Sequence, residues 1–171
     1  MSKEFHGLYK HMFPFVINRL SKKSVEAQMV FGDQSSALAK LSPNIATIAI
    51  KITGRRDVSI ESIINKASMF YSLLPSAEKI MFKGAAFYLM CQTLGWMRMT
   101  KQISKTASVT LSASGETPIA GTQESLVKYY QRRGFAITND SDQDNVEMEG
   151  RIMLILQSCA EHKHIQMKKL K

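Results

Sequence analysis

The amino-acid sequence predicts an α+β fold, a single domain in which a mostly antiparallel sheet packs against two or three helices. Two patterns carry this prediction. Residues 45–53 and 106–113 alternate apolar and polar side chains, which is typical of strands that bury one face. Residues 60–74 and 77–98 instead place apolar side chains three and four positions apart, as helices do. The chain has 171 residues, enough to bury a core without metals or disulfides.

The N-terminal residues 1–25 are predicted to form a flexible arm that is basic and aromatic. It precedes a globular α+β domain over residues 26–160 and a basic tail over residues 161–171. Aromatic side chains alternate with lysines in the arm, and Pro14 excludes a long helix. This composition suits the headgroup boundary of a membrane, where rings are buried and ammonium groups stay in water. It equally suits an arm packed on the core, and the sequence leaves both interpretations open.

The first half of the domain is predicted to contain two strands and then two helices. Residues 27–32 and 45–53 are the strands, and they flank a stretch rich in turn-forming residues. A basic turn leads to the first helix, which ends before Pro75 because the residue before a proline disfavours the helical conformation. The second helix, over residues 77–98, is apolar on almost every side and is therefore expected to be buried.

The second half begins with the strand at residues 106–113. A helix is then predicted from Thr122 to Gly134, because a glycine there suits the left-handed residue that ends many helices. Residues 135–138 follow as a short strand. Residues 151–160 have no decisive period, and the sequence leaves both strand and helix open there.

The net charge of +9 is distributed unevenly along the chain. Basic residues gather in the first 23 positions, at residues 55–56 and from residue 79 to residue 105, where no acid intervenes. This layout predicts a polyanionic partner, either an anionic membrane or nucleic acid. The candidate contact residues are Lys3, Lys10, Arg19, Lys22, Lys23, Arg55, Arg56, Lys79, Lys83, Lys101 and Lys105.

Acidic residues are concentrated in one segment near the C-terminus, with no basic residue between them. This segment is interpreted either as a solvated turn or as a surface that pairs with the basic face of a second copy. The candidates for self-association are Asp140, Asp142, Asp144, Glu147 and Glu149.

No motif of a catalytic or metal-binding site stands out. The sequence lacks a Gly-rich phosphate loop, a His-Glu-x-x-His motif, a Cys-x-x-Cys motif and a serine nucleophile elbow. Cys91 and Cys159 fit a soluble intracellular protein and cannot form a metal site alone. No secretion signal or membrane-spanning run is evident. We therefore predict no cofactor, no metal site and no catalytic residue.

The order of elements resembles that of rhabdovirus matrix proteins, most closely the short members that infect plants. The resemblance rests on the strand at 47–53, the basic pair Arg55 and Arg56, a helix through 62–71, and a basic helix through Lys83. The strand at 108–112, the helix at 125–133 and the dipeptide Gly134-Phe135 are similar to the C-terminal part of that family.

The resemblance implies a viral matrix protein that is not an enzyme. Such a protein self-associates and bridges the nucleoprotein–RNA complex to the anionic inner face of the envelope membrane during budding. Its expected locations are the virion beneath the envelope, the host cytoplasm and membrane, and also the nucleus. Non-specific nucleic acid is a further expected partner, for which Arg132 and Arg133 join Arg55 and Arg56 as candidate phosphate contacts.

A second resemblance supplies the alternative function. The sequence Tyr-x-x-x-Gly-Phe at residues 130–135 is similar to the closing motif of the acetyl-CoA-dependent N-acetyltransferase superfamily. It implies that Tyr130 is the general acid that returns a proton to the leaving thiolate. Residues 83–86 would form the pyrophosphate turn at a helix start. The sequence departs from the superfamily because it predicts a helix where a strand should precede that turn, and it lacks the turn's second glycine and leading Arg or Gln.

Overall fold

The computed structural model describes residues 3–5, 15–32, 34–113, 116–117, 124–142 and 144–169. The strands are β1 (Lys3–Phe5), β2 (Phe15–Leu20), β3 (Ser24–Met29), β4 (Ala46–Gly54), β5 (Asp57–Asn65), β6 (Ser108–Ala113), β7 (Glu116–Thr117), β8 (Glu124–Ser125), β9 (Phe135–Asn139) and β10 (Val146–Arg151). The helices are α1 (Ala37–Leu41), α2 (Lys66–Met69), α3 (Ser76–Met81), α4 (Ala85–Met99), α5 (Leu126–Gln131) and α6 (Ile152–Lys169), with a 3-10 turn at Tyr71–Leu73.

Eight of the described strands form one sheet in the order β1-β2-β3-β4-β5-β6-β10-β9, and β7 pairs with β8 separately. Neighbouring strands of the large sheet are antiparallel except β5 and β6, which run parallel. The predicted α+β fold with a mostly antiparallel sheet is therefore confirmed. Helix α4 connects the parallel pair and packs against β3, β4 and β5.

The alternating strands were predicted correctly. In β4, the side chains of Ala46, Ile48 and Ile50 are buried while those between them are more exposed. In β6, Val109 and Leu111 are buried and Thr110 is exposed. The period of two places the buried apolar side chains of each strand on one face of the sheet. These side chains form part of the hydrophobic core.

The prediction of a helix over residues 60–74 is wrong for the first part of this range. Residues 57–65 form strand β5, in which Val58 and Ile60 are buried and Glu61 is exposed. The β-branched side chains favour a strand here, and their pairing with β4 outweighs the apparent helical spacing that continues from residue 60. Helical structure starts only at α2, where the Asn65 side chain accepts a hydrogen bond from the Ala67 N–H at 3.0 Å.

The long helix predicted over residues 77–98 is divided in two. It breaks between α3 and α4 at Gly84, whose φ of 74° lies in the left-handed region that favours glycine. The predicted burial of the second part is confirmed, since Leu89, Met90 and Leu94 of α4 are fully buried. Helix α1 was not expected, because its five residues lie in a stretch of turn formers. It is tied to α3 by Glu78, whose carboxylate accepts the N–H groups of Ala37 and Leu38 at 3.0 Å.

The C-terminal segment that the sequence left open is helix α6. Its Cys159 forms a disulfide with Cys91 of α4, so the two helices are covalently joined across 68 residues of chain. The sequence analysis did not predict this pairing of the two cysteines. The helix predicted to stop at Gly134 is α5, and Gly134 has a left-handed φ of 97° as predicted.

The predicted N-terminal arm contributes to the sheet in its second half. Residues 15–25 contain β2 and the start of β3, and Phe15 and Ile17 are buried in the core. Residues 1–2 and 6–14 of the predicted arm lie outside the described part of the chain. At the other end, α6 continues through most of the residues predicted as a basic tail.

Candidate functional site

The parallel strands β5 and β6 separate before they end. Their register includes Asp57 with Ser108, Val58 with Val109 and Ser59 with Thr110. Beyond these pairs, β5 continues to Asn65 and β6 to Ala113 without further pairing to each other. The carboxyl ends of parallel strands are where open α/β sheets usually bind ligands. We call this place the carboxyl end of the parallel pair.

Helix α4 begins at the carboxyl end. The side-chain amide of Asn65, the last residue of β5, donates a hydrogen bond to the Phe82 carbonyl at 3.2 Å. This contact fixes the loop that leads into α4 beside the end of β5. Gly84 occupies the N-cap position, where a Cβ atom would lie 3.6 Å from a ring carbon of Tyr88. The left-handed backbone, more than the available space, therefore favours glycine here.

The N-terminus of α4 is electrostatically suited to an anion. Among the residues that the structure describes, no side chain caps this helix and no acid lies in its first turn. Its 15 residues align their peptide dipoles, which places a partial positive charge at Gly84. The exposed Lys83 precedes Gly84 and adds a full positive charge. Backbone N–H groups, helix dipole and lysine together favour a phosphate group at this position.

An aromatic cluster lies beside the first turn of α4. The Arg133 guanidinium is 3.5 Å from the ring centre of Tyr129 and 4.9 Å from that of Phe87. Tyr129 contacts Phe87 edge to face at 6.3 Å, and the Tyr130 ring lies between those of Tyr129 and Phe135 at 5.3 and 5.6 Å. These contacts join α5 to α4. They also hold Arg133 buried against two rings, which corrects its interpretation as an open phosphate contact.

Tyr130, the candidate general acid, is buried, with 7% of its surface exposed. Burial raises its pKa well above the ordinary value, the adjacent Tyr129 raises it further, and the Arg133 guanidinium opposes both. The phenol is protonated near neutral pH, as it would be at its ordinary pKa, and the raised pKa makes it a weaker proton donor. The sequence pattern missed Tyr129, which is half-buried and lies between Tyr130 and the first turn of α4.

One structural departure from the acetyltransferase pattern is removed, because Gly84 stands at the start of a helix instead of inside one. The other remains: residues 57–65 are strand β5, but α2, a 3-10 turn and α3 lie between this strand and the turn at residues 83–86. The missing second glycine and the missing leading Arg or Gln remain as differences. The matrix resemblance loses one of its elements, because the expected helix through residues 62–71 is strand β5 up to Asn65 and the four-residue helix α2 after it.

The predicted basic residues are divided between the two ends of the sheet. Three connections meet at the end where β5 begins, since the Lys23 carbonyl accepts the Ile52 N–H and the Arg55 carbonyl accepts the Ser104 N–H, both at 2.7 Å. We call this the basic end, because Lys22, Lys23, Arg55, Arg56, Lys101 and Lys105 are all exposed there. Lys79 and Lys83 lie at the opposite end, near the start of α4. Lys10 falls outside the described residues, and Lys3 and Arg19 are placed in β1 and β2.

The basic end contains an open cleft of about 600 Å³. Its lining residues are Arg55, Arg56, Arg98, Met99, Lys101, Ser104 and Lys105. Arg98 was absent from the predicted contact residues, because in sequence it reads as the end of a buried helix. The Arg98 guanidinium donates a hydrogen bond to the Ile103 carbonyl at 3.0 Å, which holds this side chain against the α4–β6 loop.

The acidic residues predicted for self-association are all exposed. Asp142 orders its own turn by accepting the Asp144 N–H at 3.0 Å. Glu147 and Glu149 lie on the exposed face of β10. Pairing with a second copy remains a prediction. Within the described ranges, no helix is both long enough and apolar enough to cross a membrane.

Comparison with known proteins gives little. No protein-family model matches the chain, and no curated protein matches it significantly. Among solved structures, this chain is similar to a protein of Klebsiella pneumoniae subsp. pneumoniae MGH 78578 described provisionally as an acyl-CoA N-acyltransferase. The likeness covers 79% of this chain and 77% of that one, at 9% identity and a TM-score of 0.47. A likeness of this strength establishes neither a shared fold nor a shared activity, and none of the comparisons supports the matrix resemblance.

Proposed function

We propose that this chain is an acyl-CoA-dependent N-acyltransferase, the function that the sequence offered as its alternative. The observation that carries the proposal is the meeting of three features at one place: the separating parallel strands, the glycine-capped start of α4, and the tyrosines of α5 packed beside that helix. Each is a requirement for holding a phosphate-bearing thioester, and the sequence motif at residues 130–135 belongs to the same place.

The residues at the carboxyl end fit a pyrophosphate. The N–H groups at the start of α4 would bind its oxygens, the Lys83 ammonium would neutralise charge, and Gly84 presents backbone without a side chain. Past Ser59 and Thr110, β5 and β6 are paired with β4 and β10 but not with each other. Backbone groups on the two facing edges would be available to the rest of the acyl-CoA. A bound acyl-CoA would supply a thioester whose acyl group transfers to an amine.

Tyr130 is assigned the proton-donor role. The amine nitrogen would form a bond to the acyl carbon of the thioester. As the carbon–sulfur bond then breaks, the Tyr130 O–H bond would break too, and its proton would move to the thiolate sulfur. Water would accept the proton lost by the attacking amine and would return a proton to the Tyr130 phenolate. A tyrosine is protonated at neutral pH at its ordinary pKa, so the raised pKa of Tyr130 is not what keeps this proton in place; it makes the phenol a weaker acid. A positioned general acid of this kind typically contributes about 10²- to 10⁴-fold in rate.

The matrix function is not the one proposed. Its contacts with anionic membrane, with the nucleoprotein–RNA complex and with copies of itself stay predictions. No feature of the described residues favours them over acyl transfer, and an element on which that resemblance relied has a different structure.

The first test is binding of acetyl-CoA by calorimetry, with the Lys83→Gln variant and a matched Lys40→Gln variant as control. Lys40 is exposed on α1 and is not among the residues assigned to binding. We expect saturable binding that is weakened by Lys83→Gln and unchanged by Lys40→Gln. Absence of binding to the unaltered chain would end the enzyme proposal.

The second test assigns the general acid. Release of free thiol from acetyl-CoA is followed with a peptide α-amine, a lysine side-chain amine and a polyamine as acceptors. Tyr130→Phe should reduce kcat by about 10²-fold or more while acetyl-CoA affinity is retained. If Tyr129→Phe abolishes turnover and Tyr130→Phe does not, the acyltransferase stands and the proton donor is Tyr129.

A further inference from the structure

The basic end gathers positive charge without local compensation. Five of the seven residues that line its cleft are Arg or Lys, and none of these described lining residues is acidic. Like charges held around one small cleft repel each other unless an anion lies between them. The C-terminus of helix α4 carries a partial negative charge, which one or two cations are enough to balance. This charge therefore does not explain why five cationic side chains line the cleft.

The backbone at the basic end is also unusual. Lys101 has a φ of 60°, the left-handed conformation that residues other than glycine rarely adopt. Its carbonyl accepts a long hydrogen bond from the Arg55 guanidinium at 3.5 Å. Lys101 ends helix α4 as a left-handed C-cap: its N–H donates to the Arg98 carbonyl at 3.1 Å, and the Gln102 N–H donates to the Met97 carbonyl at 3.0 Å. This helix end and the Arg55 contact place the α4–β6 loop beside the β4–β5 turn.

The positive surface extends beyond one cleft. Gln102, next to Lys101, lines a second cleft of about 350 Å³ together with Lys22 of the β2–β3 turn. Lys23 is exposed on the same turn. The cations therefore follow three successive connections along the edge of the sheet instead of surrounding one point.

We infer that the basic end binds the phosphate backbone of a single-stranded nucleic acid, independently of the acyl-transfer site. A concave, extended row of cations suits a chain of successive phosphates better than a compact anion or a flat bilayer, which cannot enter a cleft. Three arginines line the cleft. Each guanidinium group can bind two oxygens of one phosphate through parallel N–H···O hydrogen bonds.

The described lining of both clefts also predicts how the strand is bound. Neither lining contains Phe, Tyr or Trp, so no base-stacking platform is present among these residues. Contacts to phosphate give affinity without sequence information. Binding should therefore depend strongly on salt and only weakly on base sequence.

The test is fluorescence anisotropy of a labelled single-stranded DNA of mixed sequence, titrated with the full chain across a salt series. The variants are Arg55→Gln with Arg56→Gln, and Lys101→Gly with Lys105→Gln. The matched control is Lys40→Gln with Lys79→Gln, which removes the same charge at the opposite end of the sheet. Each basic-end pair should reduce the slope of log affinity against log salt by about 1.4, at about 0.7 for each phosphate contact.

Four results would overturn the inference. They are no binding at low salt, equal weakening by the control pair, anionic vesicles bound while DNA is not, and inorganic triphosphate bound while DNA is not. A second DNA of permuted sequence should bind with the same affinity, and discrimination between the two would contradict backbone recognition. Circular dichroism confirms that each variant is folded. Acetyl-CoA binding by the same basic-end variants should be unchanged, so failure of either proposal leaves the other testable.

Discussion

Both ends of the sheet are proposed to bind anions, but their positive charge comes from different groups. At the carboxyl end the charge is mainly that of backbone N–H groups at the start of α4, with Lys83 beside them. At the basic end it is carried by long side chains on three connections. A helix dipole acts within about one turn, whereas side-chain charges act over a Debye length of about 8 Å at physiological salt.

This difference separates fixed from diffuse recognition. A backbone site binds one anion in one geometry, because its donors cannot move. Long side chains can follow a flexible polyanion, and each contact weakens as salt increases. We therefore expect salt to weaken nucleic-acid binding at the basic end far more than acetyl-CoA binding at the carboxyl end.

The largest expected effect concerns α4, which connects the two ends. The disulfide between Cys91 and Cys159 closes a loop of 68 residues, for which about 4 kcal/mol of stability is expected. The variant Cys91→Ala with Cys159→Ala should lower the free energy of unfolding by roughly this amount in urea denaturation. A reductant should destabilise the unaltered chain and leave the variant unchanged. Equal urea midpoints for the oxidised chain and the variant would show that the bond is energetically unimportant.

The next effect distinguishes the ends directly. Gly84→Ala places a side chain at a φ of 74°, which costs about 1 to 2 kcal/mol for a residue other than glycine. We expect this loss in the free energy of unfolding, with weaker acetyl-CoA binding and unchanged DNA binding. Gly95→Ala is the matched control, since it lies in the same helix where a Cβ meets nothing within 4 Å. If both variants keep full acetyl-CoA affinity, the start of α4 does not bind the pyrophosphate.

A third effect tests the environment of Tyr130. Its pKa is raised in the folded state, so the stabilisation is complete below the unfolded pKa of about 10. Above that pH the unfolded chain releases this proton first, and stability falls by up to about 1.4 kcal/mol per pH unit. Tyr130→Phe should flatten the alkaline part of the stability curve measured by urea denaturation. An unchanged alkaline slope would mean that the phenol is accessible to solvent.

The sequence predicted the strands with one buried face better than the segments that connect them. In β4 and β6 the period of two is clear, and both elements were identified. In β5 the same period covers only Val58 to Ile60, before Ile63 and Ile64 add neighbours at helical spacing. Pairing with β4 decided the outcome, and such long-range pairing is invisible in a local pattern. Gly84 was placed inside the helix predicted over residues 77–98. A glycine amid apolar residues can also mark a break in a helix, as it does here.

The sequence identified many residues of the candidate sites, but it did not show which of them lie close together in the fold. Charge patterning identified Arg55, Arg56, Lys101 and Lys105, yet only the fold brings the two loops together through the Arg55 and Ser104 backbone contact. It also moves Lys79 and Lys83 to the other end of the sheet. The motif identified Tyr130, while the position of Tyr129 against α4 depends on tertiary packing that no spacing reveals.

The smallest effect tests the basic end most sharply, because structure and binding predict different outcomes for one residue. Lys101→Gly relieves a left-handed φ of 60° and should stabilise the fold by about 1 kcal/mol. It also removes one phosphate contact, so the salt slope for DNA should fall by about 0.7. Lys101→Asn, which tolerates the same conformation, should lower the slope equally. If both variants stabilise the chain and leave the slope unchanged, Lys101 shapes the loop only. The cleft would then act through Arg55, Arg56, Arg98 and Lys105, and the unusual conformation would have no role in recognition.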